Sequence, residues 1–330
     1  MDFINFYKNK LFSTNKDQFE ALALELFHYQ AVSNTVYKNY LHAIGRHKDE
    51  VKCLNDIPFL PAELFRTHEV VCGQNTAGLI FSSSSTSGAG ISRHFVKQPS
   101  LYEESFERCF SLFYGEPADY CILALLPSYL ERSGSSLIYM MERLIKSSRH
   151  PDSGFYLYEH EQLADLLEDL KNKDQRCILF GVTFGLLDFS VNHSFHDMQN
   201  LIVIETGGMK GRRAELTREE VHLILKEKLG VENIHSEYGM TELLSQAYSK
   251  GNGIFSCPPW MKVLVRDPQD PFCIINCGST GAVNIIDLAN ADSCAFIATS
   301  DLGKVHEDGT FEISGRFDYS DVRGCNLMVL

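Results

Sequence analysis

Four short stretches gather hydroxyls, glycines and charges at close spacing. The first, "FSSSSTSGAGISRH", runs hydroxyl residues from Ser82 to Ser87 before Gly88 and Gly90. Hydroxyls, with amides that glycine leaves accessible, suit the oxygens of a polyphosphate. Ser84, Thr86, Ser87 and Gly88 are the donors this assigns, and Arg93, His94 and Lys97 add positive charge beside them. No Gly-Lys-Ser/Thr follows and GxGxxG is not met, so the loop is neither dinucleotide nor Walker type. The same composition also fits a surface turn.

The second stretch, "HSEYGMTELLS", places Tyr238, Gly239, Thr241 and Glu242 within five residues. An aromatic, a hydroxyl and a carboxylate suit adenine stacking, phosphate contact and a hard cation held through oxygen. The competing reading is a helix start, with Thr241 as cap and Glu242 favoured by the helix dipole. The third, "IETGGMKGRR", has Gly207 and Gly208 after an apolar strand, where backbone can approach a flat ring or phosphate. The fourth joins "TSDLG" and "ISGRFD", whose Asp301 and Arg316 can hold sugar hydroxyls.

What must position these groups is an α/β scaffold. Apolar positions at helical spacing from Gln18 to about Leu41 predict helix at the N-terminal side. From Leu79 onward "LIFSS", "CILALLP", "CILFGVTF" and "LIVIETGG" alternate with helical stretches near 101–113 and 136–146. Short, wholly apolar strands between helices imply a largely parallel sheet buried on both faces. Ligands of such sheets gather at the carboxyl ends of strands, so the loops after Phe81, Val182 and Glu205 are the places to look. After about Asn252, "MKVLVRD", "FCIINC", "GAVNIID", "CAFIATSD" and "TFEISG" predict an antiparallel β region. The division expected is an α/β body over 1–251 and a β-rich subdomain over 252–330.

Composition narrows the classes. With 30 Lys and Arg against 43 Asp and Glu the net charge is −13, which disfavours nucleic acid and anionic membranes as partners. No apolar run is long enough to span a bilayer. The start, "MDFINFYKNKLFS", lacks the order of a secretory signal. The ten cysteines form no CxxC or zinc-like spacing, so a reducing cytoplasm is expected. Cys273 and Cys277, flanking strand-like "IIN", are expected to be buried thiols.

In this order, the four stretches resemble the adenylate-forming superfamily of acyl-CoA synthetases, adenylation domains and firefly luciferase. A Ser/Thr/Gly phosphate loop, a glycine pair, a "YGxTE" core, a "GD"-type aspartate and a "GRxD" hinge correspond to Ser83–Gly90, Gly207–Gly208, Tyr238–Glu242, Asp301 and Gly315–Asp318. Within it, "FLPAELFRTH", "ETGGMKGRR" and "RGCNLMV" look like the acyl-protein synthetases of the long-chain-fatty-acid luciferin-component ligase type. The resemblance implies the large N-terminal-type fold, mixed and parallel sheets flanked by helices with a β-rich subdomain, without the superfamily's small second domain.

It also implies chemistry. ATP and Mg²⁺ would activate a carboxylic acid, fatty in that family, as acyl-AMP. The acyl group would then pass to Cys325 as a thioester, for delivery to an acceptor protein such as a reductase. Tyr238 would pack on adenine beside Gly207, Gly208 and Gly239; Thr241 would contact the α-phosphate; Asp301 and Arg316 would face the ribose; Glu242 would anchor Mg²⁺. A cation must replace the missing domain's lysine, with Arg93, Lys97 and Lys210 as candidates. His94 either assists proton transfer at the acyl pocket or is a loop residue. Cys325 is otherwise a small apolar plug in a groove, and the aromatic "SFERCFSLFYG" either lines an acyl tunnel or is plain core. Competing functions are an acyl-CoA ligase or an acyltransferase using coenzyme A or a carbohydrate precursor, and a non-catalytic nucleotide- or acyl-binding subunit. A hydrolase is disfavoured, since there is no GxSxG elbow.

Overall fold

The computed structural model describes residues 3–74, 76–83, 90–126, 134–207 and 216–316. The N-terminal helices are α1 (Phe3–Leu11), α2 (Lys16–Ser33) and α3 (Thr35–Ala43). The periodic stretch over 18–41 is thus two helices, and Asn34 breaks them. Its backbone is extended, its amide bonds back to the Gln30 carbonyl, and its side chain caps the Tyr37 amide. The Asn34 amide group also donates to the Ser293 carbonyl at 3.0 Å, tying the break to a distant loop.

A short connection carries β1 (Leu60–Pro61) and the one-turn α4 (Leu64–Thr67). Next come β2 (Leu79–Ser82), β3 (Arg93–Val96) and α5 (Pro99–Tyr114). The parallel region follows as β4 (Cys121–Leu125), α6 (Ser136–Ser148), β5 (Gly154–Phe155), α7 (His160–Asn172), β6 (Cys177–Gly181), α8 (Thr183–Asn192), β7 (Leu201–Glu205), α9 (Arg218–Leu229) and β8 (Ile234–Tyr238). The rest is strand: β9 (Ala247–Ser249), β10 (Phe255–Ser256), β11 (Met261–Arg266), β12 (Thr280–Asp287), β13 (Phe296–Val305) and β14 (Phe311–Arg316).

Among the described residues, these strands lie in one sheet of order β11-β12-β13-β14-β10-β9-β8-β7-β6-β4-β5, with β1 pairing β13. Pairing is parallel from β5 to β8 and antiparallel from β8 to β11. The α/β class is as expected, and the β-rich segment continues the same sheet. One expectation fails: β2 is not in the parallel sheet but pairs with β3 as a separate antiparallel hairpin. The Ser/Gly loop therefore joins two hairpin strands rather than a strand and a helix.

Period-two alternation explains why the parallel strands read as wholly apolar. Ile122, Ala124, Ile178, Phe180 and Ile204 face the core shared with α5 and α6. Leu123, Leu125, Leu179, Val203 and Ile234 face the other core, with α7, α8 and α9. Leu179→Ala would cost about 2–5 kcal/mol by emptying that layer. The Thr217–Glu220 capping box starts α9, and Gly230, at φ +64°, ends it. A Cβ there would lie 2.7 Å from the Phe195 carbonyl oxygen, so both backbone angle and packing require glycine.

"FCIINC" is not a strand. Asp267 and Asp270 accept from the amides of Gln269 and Phe272, making side-chain turns that fold this segment into a loop between β11 and β12. Only Ile274 makes a β-bridge there, to Arg266. Cys273 and Cys277 are exposed, the opposite of expectation.

Candidate active site

Parallel strands deliver their carboxyl ends to one rim, and the site is built there. Tyr238 ends β8, its ring edge-on to Phe255 at 6.0 Å and Phe311 at 5.7 Å. Its hydroxyl donates to Asp301 Oδ2 at 2.7 Å. Arg316 Nε lies 3.4 Å from Asp301 Oδ1, and Asp301 and Arg316 are register partners across β13 and β14. Burial, then the Asp301 charge, pushes the Tyr238 phenol well above its ordinary range, so it stays a donor. Three residues far apart in sequence are thereby one hydrogen-bonded group.

Past Tyr238 the chain does not open onto a helix. Residues 239–246 are irregular and lead straight into β9, so the helix-start reading of Thr241 and Glu242 is overturned. Buried Asp287 explains it, accepting from the amides of Leu244 at 2.7 Å and Ser245 at 3.0 Å and from the Ser245 hydroxyl at 2.6 Å. A carboxylate from β12 satisfies donors that a helix would otherwise have used.

His94 Nδ1 lies 2.9 Å from the Thr241 carbonyl oxygen. A carbonyl only accepts, so Nδ1 carries the proton and Nε2 keeps its lone pair. Nε2 is buried without a partner among the described residues. Burial pushes the imidazole down to about 4, against the pull of the Thr241 carbonyl and of the Asn290 side chain. His94 is therefore a buried neutral residue on β3 and not an exposed loop residue. Beside it, a cavity of about 10 Å³ is lined also by Lys97, Asn290 and Asp292.

Glu242 is buried, with its carbonyl oxygen accepting from Asn290 Nδ2 at 2.6 Å. Burial raises its carboxyl, while a hydrogen bond from Ser92 and the charges of Arg66 and Arg316 pull the other way. Ser92 and Ser83 close the β2–β3 hairpin, Ser92 N donating to Ser83 Oγ at 3.0 Å. The stem of the Ser/Gly loop thus meets the "YGMTE" loop at Glu242. Arg66 is a cation that sequence reasoning missed, although it lies within "FLPAELFRTH". Of the cations expected, Lys97 Nζ donates to the Cys72 carbonyl at 2.6 Å, and Arg93 lies 5.6 Å over the Phe95 ring.

Two further carboxyls, also missed, stand at the rim. Glu205 ends β7 and accepts from Thr183 Oγ1 at 2.8 Å and from the Gly207 amide at 2.8 Å, with His222 Nε2 at 3.6 Å. Burial pushes it up, but bonds from His222, Ser236, Thr183 and Gly207 outweigh that and hold it at about 2. Gly207 has φ +54°, which glycine adopts without strain. Glu237, on β8, accepts from the Thr206 hydroxyl. Burial, with the Glu205 charge adding to it and the Thr206 bond opposing, raises Glu237 to about 7. Ser84, Thr86, Ser87, Gly88, Gly208, Lys210 and Cys325 lie outside the described residues.

No group of three or more His, Cys, Asp or Glu able to hold a metal occurs among the described residues. Glu242 alone does not fit an all-protein ion site. It does fit an Mg²⁺ held by one carboxylate and substrate phosphates. No helix among the described residues is long and apolar enough to cross a membrane.

No protein-family model matches the sequence, and comparison with curated proteins finds no match. Solved structures do match in fold. An open conformation of 2-hydroxyisobutyryl-CoA ligase, in complex with 2-HIB-AMP and CoA, aligns with TM-score 0.67 at 12% identity, over 93% of this chain and 72% of that one. ATP-bound MatB from Rhodopseudomonas palustris aligns with TM-score 0.53 at 16% identity, over 74% of this chain and 49% of that one. The chain thus spans about half the length of MatB. Its mixed sheet, flanked by helices, has the fold seen in these two structures.

Proposed function

We propose that the chain activates a carboxylic acid with ATP, forming acyl-AMP and releasing pyrophosphate. The observation carrying this reading is the convergence of Tyr238, Asp301 and Arg316 with the Thr241–Glu242 loop, on the rim of a ligase fold. Such a reaction is mainly positioning and charge neutralisation. Tyr238 offers a ring face to adenine and Asp301 accepts from ribose hydroxyls. Thr241 reaches the α-phosphate, and Gly207 and Gly208 leave room. The serines around Ser84, Thr86, Ser87 and Gly88 receive the β- and γ-phosphates. Arg66, with Arg316, offsets charge near Glu242, a task otherwise falling to Arg93 or Lys210. Mg²⁺ held by Glu242 would supply neutralisation of phosphate charge.

In its finer form, the acid is fatty and the acyl group passes to Cys325 for delivery to an acceptor protein in a reducing cytoplasm. The motif order, and nine described cysteines that are all free, support this. His94 is buried and neutral, so its part is to hold the Thr241 carbonyl. A second reading is transfer to coenzyme A, favoured by the fold match to a ligase bound to its acyl-AMP and CoA.

Incubation with ATP, Mg²⁺ and mixed acids should give acid-dependent exchange of pyrophosphate into ATP and a hydroxylamine-labile mass adduct. Cys325→Ser should abolish the adduct and spare the exchange. An undiminished adduct, or acyl-CoA formation without one, refutes the thioester arm. Glu242→Gln should lower exchange about 10²-fold, on the scale of losing one electrostatic group; unchanged exchange removes it from the site.

A further inference from the structure

Strand β13 departs from regular pairing at Asp301. Ala282 of β12 faces Leu302 and Asn284 faces Ala298, so Val283 alone stands opposite Thr299, Ser300 and Asp301. The surplus residues form a bulge, a feature that bends a strand and re-aims a side chain beside an active site. Here the Asp301 carboxyl meets the Tyr238 hydroxyl, which donates to it at 2.7 Å.

A bulge disrupts the ladder, so its residues must be held by other bonds. Thr299 Oγ1 donates to the Val283 carbonyl at 3.0 Å and accepts from the Asp301 amide at 3.1 Å. The buried Arg266 guanidinium donates to the Val283 carbonyl at 2.7 Å and to the Thr299 carbonyl at 2.8 Å. These bonds fix Thr299 and Asp301. Ser300, between them, is held from elsewhere: its hydroxyl donates to Glu63 Oε1 at 2.6 Å, across 237 residues of chain.

Glu63 belongs to "FLPAELFRTH", a motif the proposed reaction uses only for Arg66. The strand β1 lies parallel to β13, with Leu60 opposite Ile297 and Pro61 opposite Ala298. The Ala62 amide then donates to the Ala298 carbonyl at 3.0 Å. Main-chain pairing stops there, two residues short of Ser300, and the Glu63 side chain continues it. Glu63 also stands at the N-cap of α4, yet its side chain makes no cap bond. Helix capping therefore does not account for this carboxyl. Phe65, fully buried and edge-on to the His94 ring at 5.6 Å, anchors the turn that follows.

We propose that Glu63 is a positioning residue for the nucleotide site: by accepting from Ser300 it holds the bulge that aims Asp301 at the ribose. The inference rests on the acid-activating reading and deepens it. Releasing Ser300 leaves Asp301 in place chemically but lets its carboxyl wander, so ribose hydroxyls are bonded less well.

The test is calorimetry of ATP against its 2′-deoxy and 3′-deoxy forms, without acid. Wild-type protein should favour ATP over at least one deoxy form by roughly tenfold or more. Ser300→Ala and Glu63→Ala should each cut that ratio to about threefold or less, and the double variant should cut it no further. Glu63→Gln keeps an acceptor for Ser300 and should keep the ratio. Each ratio is read within one protein, so general loss of folding does not imitate the result. Should Glu63→Ala fail to fold, Ser300→Ala, which removes a single oxygen, decides. A ratio unmoved by Ser300→Ala, or lost as fully in Glu63→Gln as in Glu63→Ala, overturns the role. So does a wild-type ratio near one, or no binding of ATP. Pyrophosphate exchange by the wild type separates the two readings. Exchange with an unmoved ratio refutes the role of Glu63 alone, whereas no exchange with any acid refutes acid activation and leaves the ATP ratios to judge Glu63.

Discussion

Glu205 and Glu237 stand on neighbouring parallel strands, at the same rim, both buried, yet their environments drive them opposite ways. Glu205 is ringed by donors from Thr183, His222, Ser236 and the Gly207 amide and is held at about 2. Glu237 has the Thr206 hydroxyl and a negative neighbour, and rises to about 7. Burial alone therefore does not set a carboxyl's state; the number of donors brought to it does. Glu205 is surrounded by the protein's own donors, whereas the Thr206 hydroxyl is the donor that reaches Glu237.

The largest effect should come from breaking the Glu205 cluster. Glu205→Ala strands Thr183, His222 and the Gly207 amide inside the protein, a loss of about 3–5 kcal/mol in urea unfolding. Its folded pKa of about 2 lies below the usual 4.5, so its stabilisation is present above pH 4.5. That stabilisation is lost as pH falls toward 2, by about 3 kcal/mol in all. A wild-type acid limb no steeper than that of Glu205→Gln would refute this account.

Glu237 should behave inversely. A folded pKa of about 7 against 4.5 means stability declines as pH rises from 4.5 to 7 and is level above. Glu237→Gln removes that decline. The gain at pH 8 should be about 1–2 kcal/mol, smaller than the full shift because the Thr206 bond is altered too. Melting curves of both proteins between pH 5 and 8 read it directly, and parallel profiles would show that Glu237 ionises freely.

How much of this was legible in the sequence follows the range of the forces. The alternation of apolar strands with helices forecast the parallel sheet, because burial on both faces leaves its mark residue by residue. "YGMTE", "TSD" and "GR" forecast which residues meet, and Tyr238, Asp301 and Arg316 do meet. The shape of the loop after Tyr238 was hidden, since it depends on Asp287, more than forty residues on, reaching the Leu244 and Ser245 amides. The exposure of Cys273 and Cys277 was hidden because two aspartate turns outweigh a β-prone composition. Glu205 and Glu237 were quoted within motifs and passed over, as a carboxyl's donors come from other strands and leave no local trace.

The smallest effects sharpen the comparison at a third carboxyl. Asp301 accepts from Tyr238 at 2.7 Å, and its pairing with Arg316 at 3.4 Å involves an arginine side chain that is 83% exposed. Tyr238→Phe should cost about 1 kcal/mol, because the rim lets water replace part of the lost bond. Arg316→Ala should cost less than about 0.5 kcal/mol, since exposed ion pairs are screened and entropically costly. Stability and exchange should then part company: if Arg316 faces a bound nucleotide, its removal raises KM for ATP while the melting temperature barely moves. A melting loss for Arg316→Ala as large as that for Tyr238→Phe would make the arginine a structural strut, and would remove it from the ribose side of the site.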